Sequence, residues 1–484
     1  MKEIREYNNY IGGKWIASQS GKVIERYNPS SGKLTATYQD STAKDTELAI
    51  QTALTSYKEG EWSNWTPAER SHLLMNISRK LKDNVDRLSI IETEEVGKPL
   101  ETAKAVINGA VENFAFAATL ARNIPGESRS LNKKLDAIIT REPVGVVGLI
   151  IPWNFPLGIL SQKLPYALAA GNTVVVKPSE FTSSTAFELA KIMHDCGLPK
   201  GVANFLSGYG GTVGQTLTDS DDIHKISFTG STKTGRNIVK ASAGNMKKIS
   251  LELGGKSPVI VFPEADIEQA VNGALNAIYF LQGECCVSGS RLLVHEDIHD
   301  NFIDKLVEKT KSLNVGDPLQ DNCDIGPMIH EEHREKVLKY IKTAKQEGAK
   351  LVYGGKKLEN GKFSDGSYVQ PTIFTNVSNS MAIAREEVFG PVLSVISFKS
   401  EEEAIKLAND TPYGLSASIW TKDLDRSFRV SKAIQAGTVW INNHIEAFPE
   451  LPFGGFKESG LGREMGVQGL EAFTEVKTIQ FHHS

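Results

Sequence analysis

The sequence predicts an α/β fold built on a doubly wound parallel sheet. From residue 144 to residue 253, short segments rich in Val and Ile alternate with segments whose apolar residues recur at helical spacing. The same alternation starts again after Gly254-Gly255. Because strands separated by helices form parallel sheets, this pattern predicts two α/β domains with a boundary near residue 254.

The N-terminal part of the chain precedes this alternation and shows two other patterns. Breakers such as Asn28-Pro29 divide residues 10–37 into short strands and turns. Helices are predicted over 45–58, 67–95 and 101–123. The second of these has Thr66 as its N-cap and Pro67 in its first turn.

Each predicted strand of the two domains is a short apolar run. In the first domain the strands are 144–151, 172–177, 203–207, 225–229 and 248–253. In the second they are 258–262, 291–294, 351–353, 392–398, 416–421 and 438–442. The helices expected between them include 162–170, 182–195, 212–218, 266–277 and one that opens at Gly230.

Two segments stand outside the alternation. The polar, irregular segment 124–141 predicts a protruding strand pair, and 478–482 alternates as an exposed strand does. The second segment is a candidate to pair with the first in another subunit. We assign 1–123 and 142–254 to one domain, 255–465 to another, and 124–141 with 466–484 to an arm.

Length and composition exclude several classes of protein. The 484 residues predict two or three domains, and the net charge of −4 gives no basic field for nucleic acid or an anionic membrane. Four cysteines are too few for a disulfide framework and fit a reducing compartment. The first six residues carry acids rather than an apolar core, so we expect a cytoplasmic protein.

Neither a membrane helix nor a metal site is predicted. Residues 143–160 carry no charge, but their prolines and glycines favour a buried strand followed by a loop over a membrane helix. The ten histidines are scattered and form no ligand-like cluster.

A pair of thiols stands in a segment of small residues. Cys285 and Cys286 lie between Gly283 and the run Ser288-Gly289-Ser290, where the backbone is free to approach a ligand. A thiol held near a base or a cofactor is a nucleophile. From this segment alone, a nucleophile and two packed core thiols are equally good interpretations.

Polar residues follow three of the predicted strands, and the carboxyl ends of parallel strands meet at one edge of a sheet. The segments at these strand ends contain Ile151, Trp153 and Asn154 in the first, Lys177 and Glu180 in the second, and Gly230 and Ser231 in the third. The last pair opens a helix, whose N-terminus favours phosphate. Taken singly, a loop contact, a solvated ion pair and a turn explain them better, and no G-x-G-x-x-G is present.

Glu252 ends the fifth strand, just before Gly254-Gly255. A carboxylate at the end of an apolar strand has a raised pKa, which suits a general base. A lone buried glutamate is more often paired with a cation, so both interpretations stay open at this point. The glycines leave room nearby for substrate or water.

Taken together and in this order, these segments resemble the aldehyde dehydrogenase superfamily. The resemblance extends from Ile11-Gly12-Gly13-Lys14-Trp15 to Phe473-Thr474-Glu475-Val476-Lys477. It implies a doubly wound dinucleotide-binding domain (1–123 and 142–254), an α/β catalytic domain (255–465) and a small β oligomerisation arm (124–141 and 466–484). It also implies a homodimer or homotetramer.

The resemblance implies a role for each of these residues. Cys286 matches the nucleophile, Glu252 the general base, and Asn154 the oxyanion donor beside the backbone N–H of Cys286. The cofactor contacts that it implies are Ile151 and Trp153 on the cofactor path, Lys177 and Glu180 at the adenosine ribose, Gly230 and Ser231 at the pyrophosphate, and Glu387 and Phe389 at the nicotinamide. Lys163 and Glu475 match more weakly, as relay members or as packing residues.

The implied reaction is oxidation of a small aldehyde to its acid with NAD. Cys286 attacks the carbonyl, hydride transfer leaves a thioester, and Glu252 activates the water that hydrolyses it. Glu180 favours NAD, because a carboxylate accepts from the ribose 2′-hydroxyl and repels a 2′-phosphate; NADP is the alternative. The residues matching the entrance do not select one aldehyde: Phe155, Ile159, Gln162, Cys285, Val287, Glu446, Phe448 and Phe453.

Three alternatives accompany this interpretation. One is a CoA-acylating relative, for which Glu252 would be superfluous; another is a non-catalytic binding protein on the same fold. The third is a cysteine hydrolase, which needs a His base beside Cys286. Glu284 replaces a Gln found in many relatives: it raises the pKa of the thiol if it points inward, and otherwise faces solvent or a cation.

Overall fold

The computed structural model describes residues 4–483. Its strands are β1 (Arg5–Tyr7), β2 (Asn9–Ile11), β3 (Lys14–Ile16), β4 (Val23–Tyr27), β5 (Leu34–Gln39), β6 (Glu127–Asn132), β7 (Leu135–Pro143), β8 (Val146–Ile150), β9 (Thr173–Lys177), β10 (Ala203–Phe205), β11 (Lys225–Thr229), β12 (Lys248–Glu252), β13 (Pro258–Val261), β14 (Arg291–His295), β15 (Lys350–Tyr353), β16 (Lys357–Leu358), β17 (Tyr368–Val369), β18 (Thr372–Thr375), β19 (Val392–Phe398), β20 (Tyr413–Gly414), β21 (Ser416–Trp420), β22 (Thr438–Ile441), β23 (Phe456–Lys457), β24 (Gly460–Leu461) and β25 (Thr474–His482). Its α-helices are α1 (Ala43–Glu59), α2 (Pro67–Lys82), α3 (Val85–Val96), α4 (Leu100–Ala121), α5 (Pro156–Ser161), α6 (Leu164–Ala169), α7 (Ser184–Asp195), α8 (Gln215–Asp219), α9 (Thr232–Ser242), α10 (Ile267–Tyr279), α11 (His299–Ser312), α12 (Glu331–Gln346), α13 (Ala382–Arg385), α14 (Glu401–Asn409), α15 (Leu424–Ala433) and α16 (Gly466–Glu471).

The first large sheet has eight strands in the order β24-β12-β11-β8-β9-β10-β2-β3. Its five central strands, from β12 to β10, run parallel. β8, β9 and β11 are buried along their whole length, as expected for Val- and Ile-rich strands covered by helices on both faces. The carboxyl ends of β9, β8, β11 and β12 therefore lie side by side at one edge of the sheet.

The second large sheet has seven strands in the order β15-β18-β19-β14-β13-β21-β22. All neighbouring pairs in it are parallel except β15 with β18. It starts at β13, shortly after Gly254-Gly255, so the predicted restart of the alternation is confirmed. Later the chain returns to the first sheet, where β24 pairs with β12. The residue ranges assigned to the domains stay a prediction.

A third sheet, in the order β25-β7-β6, forms the arm. The predicted strand pair is confirmed as β6 and β7. β25 pairs with β7 of the same chain from Thr474 to His482, so the pairing expected with another subunit is wrong. The reason is local, because the Arg141 guanidinium meets the Glu471 carboxylate at 2.7 Å and holds the end of α16 beside β7.

The helix predicted over 67–95 begins as expected but is interrupted. The Thr66 hydroxyl accepts from the Glu69 N–H at 3.3 Å, and Glu69 accepts from the Thr66 N–H at 2.6 Å, which caps α2. At its other end, the Asn84 amide donates to the Lys80 carbonyl at 2.8 Å. Such a side-chain bond competes with the helix, and the chain restarts as α3.

The charge-free segment 143–160 is a strand, a loop and the beginning of a helical region. β8 is buried, and α5 starts at Pro156. A proline is tolerated in the first turn of a helix, and the predicted helix 162–170 forms as α6 (Leu164–Ala169) with Pro165 in its first turn. Among the residues that the structure describes, no helix is long and apolar enough to cross a membrane.

Candidate active site

The two thiols lie in a tight turn between α10 and β14. Leu281 and Gln282 have φ angles of 51° and 46°, left-handed values that cost energy for residues other than glycine. A Cβ on Gly283 would lie 2.3 Å from the Gly390 carbonyl oxygen, so only glycine fits there. Gly283 thus allows the turn to pack closely against the backbone at Gly390. Within the turn, Cys286 is half-buried.

The tip of β12 touches this turn. A Cβ on Gly255 would lie 2.3 Å from the carbonyl oxygen of Cys286. Glu252, three residues earlier, is 5% exposed, and within residues 4–483 neither of its carboxylate oxygens has a hydrogen-bond partner. Burial, followed by the nearby Glu464 carboxylate, raises the pKa of Glu252 well above its usual range. Within residues 4–483, no lysine or arginine forms a direct ion pair with Glu252, so the cation pairing considered for this residue is not observed.

Electrostatics also act on the Cys286 thiol. A hydrogen bond with Cys285, burial, and the negative charges of Glu387 and Glu252 raise the pKa of Cys286 well above its usual range. The thiol is therefore largely protonated at neutral pH, and its reactive thiolate fraction grows as the pH rises. The thiol and the two carboxyl groups form one electrostatically connected site.

A buried ion pair lies next to Glu252. The Lys163 ammonium contacts the Glu464 carboxylate directly and donates to the Ser227 hydroxyl at 3.0 Å. Glu475, the weaker sequence match for this neighbourhood, lies elsewhere: it pairs with Lys248 at 2.7 Å, and both side chains are exposed. The residue that accompanies Lys163 is therefore Glu464. The residues before it, Gly462 and Arg463, contain no pattern that would have predicted Glu464 as the partner of a buried lysine.

Asn154 connects the loop after β8 to the cysteine turn. Its Nδ2 donates to the Glu284 carbonyl oxygen at 2.9 Å, and the side chain is buried. An amide nitrogen carries two hydrogens, so this bond leaves a second N–H to donate. The loop itself is fixed at its start, because the Ile151 N–H donates to the Lys177 carbonyl at 3.0 Å.

The Glu284 carboxyl group is buried and fully engaged. Oε1 accepts from the Ile329 N–H at 3.0 Å, and Oε2 accepts from the Gln282 side chain at 3.2 Å. The His333 imidazole lies 3.7 Å from Oε1. Burial raises the pKa of this carboxyl well above its usual range. Glu284 thus faces the backbone of residue 329 and the imidazole rather than solvent.

The predicted adenosine and pyrophosphate contacts lie at the carboxyl edge of the first sheet. Lys177 is buried at the end of β9, where its ammonium donates to Glu180 at 3.1 Å and to the Pro178 carbonyl at 3.1 Å. Ser231 caps α9, and its hydroxyl accepts from the Thr234 N–H at 3.3 Å. A Cβ at Gly230 would lie 2.5 Å from the Phe228 ring, so a larger residue there would displace that ring.

The predicted nicotinamide contacts lie closer to the thiol. Glu387 accepts from the Gly255 N–H at 2.9 Å, and a Cβ on Gly254 would lie 2.7 Å from its carboxylate. The two glycines therefore form a cradle for this side chain. Phe389 has a φ of 59°, and its ring meets the Trp153 indole edge-on at 5.3 Å between centroids.

Apolar side chains surround the thiol on its other side. Phe155, Cys285, Val287 and Phe453, all predicted to line the entrance, pack with Cys286 in one cluster. The same cluster contains residues that the sequence did not single out: Phe280, Leu415, Trp440 and Ile445.

A histidine base for Cys286, which a cysteine hydrolase requires, is not offered by His444. Its ring nitrogens lie 2.9 Å from the Val287 carbonyl oxygen and 3.1 Å from the Ser418 hydroxyl, so both are occupied. Burial lowers its pKa to about 4. In the described part of the chain, no group of three or more His, Cys, Asp or Glu side chains is arranged to hold a metal ion.

Comparison with known proteins identifies the family. The model of the aldehyde dehydrogenase family matches residues 15–479. The chain belongs to the aldehyde dehydrogenase family. The family resemblance, the α/β fold and the assignment to enzymes that oxidise aldehydes, all predicted from the sequence, are thereby confirmed.

Relatives of this aldehyde dehydrogenase match along nearly the whole chain. Betaine aldehyde dehydrogenase of Bacillus subtilis is 44% identical over 97% of this chain and 96% of its own length. The crystal structure of an NAD-dependent aldehyde dehydrogenase from Sinorhizobium meliloti has a TM-score of 0.97 at 39% identity, over 99% of this chain and 95% of that one. An NAD+ complex of aldehyde dehydrogenase from Bacillus cereus has a TM-score of 0.97 at 38% identity, over 99% of this chain and 97% of that one.

Proposed function

We propose that this aldehyde dehydrogenase oxidises its substrate to the carboxylic acid with NAD, through a thioester on Cys286 that water activated by Glu252 hydrolyses. The observation that carries the proposal is the meeting of the cysteine turn with the tip of β12. There a half-buried cysteine and a buried carboxyl, which has no hydrogen-bond partner among residues 4–483, act on each other electrostatically.

The first step is attack by the Cys286 thiolate on the aldehyde carbon. A C–S bond forms and the carbonyl oxygen becomes an oxyanion. The second N–H of Asn154 and the backbone N–H of Cys286 are the donors that would stabilise it. Removing one such donor typically costs about 2.7–4 kcal/mol of barrier.

The residues at the carboxyl edge of the first sheet fit a dinucleotide. The cradle at Gly254-Gly255 holds Glu387 for the nicotinamide ribose, and Phe389 with Trp153 would flank the ring. Gly230 and Ser231 bring the N-terminus of α9 to the pyrophosphate. When bound, NAD supplies the acceptor for the hydride that leaves the tetrahedral carbon.

Glu180 and Lys177 would bind the adenosine ribose, and they support NAD over NADP. The Glu180 carboxylate accepts from a 2′-hydroxyl and repels a 2′-phosphate, although Lys177 offsets part of that repulsion. Comparing kcat/KM with the two dinucleotides tests this preference.

Hydrolysis completes the reaction. Glu252 takes a proton from water, the resulting hydroxide attacks the thioester carbon, and the C–S bond breaks to release the acid and the Cys286 thiolate. The buried carboxyl suits this step because its raised pKa makes it a stronger base than an exposed glutamate. A CoA-acylating enzyme would need no such base.

Replacement of the thiol tests the proposal. Cys286→Ala should abolish aldehyde oxidation and leave NAD binding, measured by calorimetry, intact. Cys196→Ala is the matched control, since Cys196 is a free thiol at the end of α7 and turnover should survive. Turnover by Cys286→Ala at the wild-type rate would contradict the assignment.

The arm suggests self-association, and we propose a homodimer or homotetramer in the cytoplasm. β6 and most of β25 are exposed, and several large apolar side chains project from the arm sheet: Leu131, Ile138, Val476, Ile479 and Phe481. All four cysteines are unpaired, as suits a reducing compartment. Light scattering coupled to size exclusion measures the assembly, and a monomer would contradict it.

A further inference from the structure

His333 lies in the first turn of α12 and contacts the backbone of Phe389. The side chain is 9% exposed, and its Nε2 lies 2.7 Å from the Phe389 carbonyl oxygen. A carbonyl oxygen only accepts, so Nε2 carries the hydrogen and donates it. Burial lowers the pKa of His333 to about 4, so the ring is neutral near pH 7 and this is its single N–H. The Glu284 carboxyl oxygen, at 3.7 Å from Nε2, is too distant for a hydrogen bond.

The Phe389 backbone has a conformation that needs support from its surroundings. Its φ of 59° is left-handed, and a residue other than glycine keeps such a value only where contacts enforce it. The next residue, Gly390, is enclosed from two sides. A Cβ there would lie 2.7 Å from Val337, one turn after His333 on α12, and Gly283 of the cysteine turn packs against the Gly390 carbonyl oxygen. One face of α12 and the cysteine turn therefore hold this segment between them.

Three rings meet beside this hydrogen bond, each edge-on to the other two. The centroids of Trp153 and Phe389 are 5.3 Å apart, those of Trp153 and His333 5.7 Å, and those of His333 and Phe389 6.1 Å. Trp153 belongs to the loop after β8 of the first sheet, whereas the other two rings come from the chain after β13. The three rings thus join the cofactor edge of the first sheet to the segment that carries Phe389.

We propose that His333 is a positioning residue for hydride transfer, because its N–H holds the Phe389 carbonyl and so fixes the ring that would flank the nicotinamide. The inference rests on the proposed role of Phe389 at the nicotinamide. With the backbone of Phe389 fixed, its ring keeps one place relative to Trp153 and to the cysteine turn. The hydride leaves a carbon bonded to Cys286, so the distance that it travels depends on this arrangement.

Two variants of matched size separate the hydrogen bond from the ring. His333→Gln keeps an N–H donor at about the position of Nε2, whereas His333→Met has a similar length and shape and donates nothing. Both lack the imidazole ring, so only His333→Met should be impaired if the hydrogen bond positions Phe389. Tyr340→Phe is the control, because it removes a hydrogen bond of 2.7 Å from another α12 side chain to Glu386 and spares the Phe389 carbonyl.

The first measurement needs no cofactor. Hydrogen–deuterium exchange is followed by mass spectrometry in the full-length enzyme without NAD. His333→Met should exchange faster over residues 388–392, because the left-handed backbone is no longer held. His333→Gln and Tyr340→Phe should exchange there at the wild-type rate.

The second measurement follows hydride transfer itself. Propanal, benzaldehyde and aminoacetaldehyde are compared with the wild type, and the fastest is then used with hydrogen or deuterium on its aldehyde carbon. At saturating NAD, NADH should form about 10- to 100-fold more slowly in a single turnover of His333→Met, since a misplacement of about 1 Å costs on the order of 10²-fold. The deuterium isotope effect should be larger than in the wild type.

Hydrolysis of p-nitrophenyl acetate separates this inference from the proposed function, because it uses the proposed thiol and base but no hydride. His333→Met should hydrolyse the ester at the wild-type rate, which also shows that it is folded. Wild-type exchange and wild-type NADH formation in His333→Met would overturn the inference. Equal losses in His333→Gln and His333→Met would also overturn it, since the ring would then be responsible. Ester hydrolysis by Cys286→Ala at the wild-type rate would instead contradict the proposed function.

Discussion

Two buried carboxyl groups lie at the cysteine turn, one within the turn and one at the tip of β12, and their surroundings differ. Glu284, within the turn, accepts from the Ile329 N–H and the Gln282 amide. Glu252, at the tip of β12, accepts no hydrogen bond from the described residues. A buried carboxyl that accepts hydrogen bonds stabilises its local structure. A buried carboxyl without them costs stability and is free to transfer protons. Burial alone does not mark a base; missing hydrogen bonds do.

The largest expected effect comes from removing the unsatisfied carboxyl. Glu252→Gln should lower kcat by about 10²- to 10⁴-fold, the usual contribution of a general base. Glu284→Gln makes the same chemical change in the satisfied group and should retain most of the activity. Steady-state rates of both variants measure the difference, and equal losses of activity in the two variants would contradict the assignment of Glu252 as the base.

A smaller effect is expected on the reactivity of the thiol. The negative charge of Glu252 is among the causes that raise the pKa of Cys286, so Glu252→Gln should increase the thiolate fraction at a given pH. The rate of Cys286 alkylation by iodoacetamide, followed against pH, should have its midpoint at lower pH in this variant. A midpoint that moves upward would contradict the electrostatic connection between the two groups.

The smallest effect concerns stability. Burial raises the pKa of Glu284 in the folded chain, so ionisation opposes folding once the pH exceeds the unfolded value of about 4.3. Glu284→Gln has no such charge. Its stability relative to the wild type should therefore improve as the pH rises from 5 to 8, by an amount on the order of 1 kcal/mol. Denaturant midpoints at the two pH values measure this, and a change in the opposite direction would rule out a buried, ionising Glu284.

The sequence was most informative where function depends on residues close together in the chain. Strand ends at Lys177 and Glu252, the capped start of α2, and the thiol pair all follow from local patterns, because apolar periodicity and turn residues act over a few positions. Because the strands are parallel, the strand ends at Lys177 and Glu252 lie at the same edge of the sheet.

The sequence could not supply contacts made by distant segments. Glu464 and Glu475 are both plausible partners for Lys163 by position, and only the return of the chain through β24 places Glu464 there. The orientation of Glu284 depends on the Ile329 backbone, 45 residues away. The closing strand alternates like any exposed strand, and its partner is decided by how α16 docks.

Trapping the acyl-enzyme tests whether Cys286 carries the acyl group and Glu252 activates the water that removes it. Glu252→Gln is mixed with NAD and an aldehyde at alkaline pH, where the thiolate forms, and NADH and intact protein mass are followed together. We expect one equivalent of NADH per site, then no further turnover, and an acyl group on Cys286. Continued turnover at the wild-type rate, or an acyl group on a different residue, would contradict it.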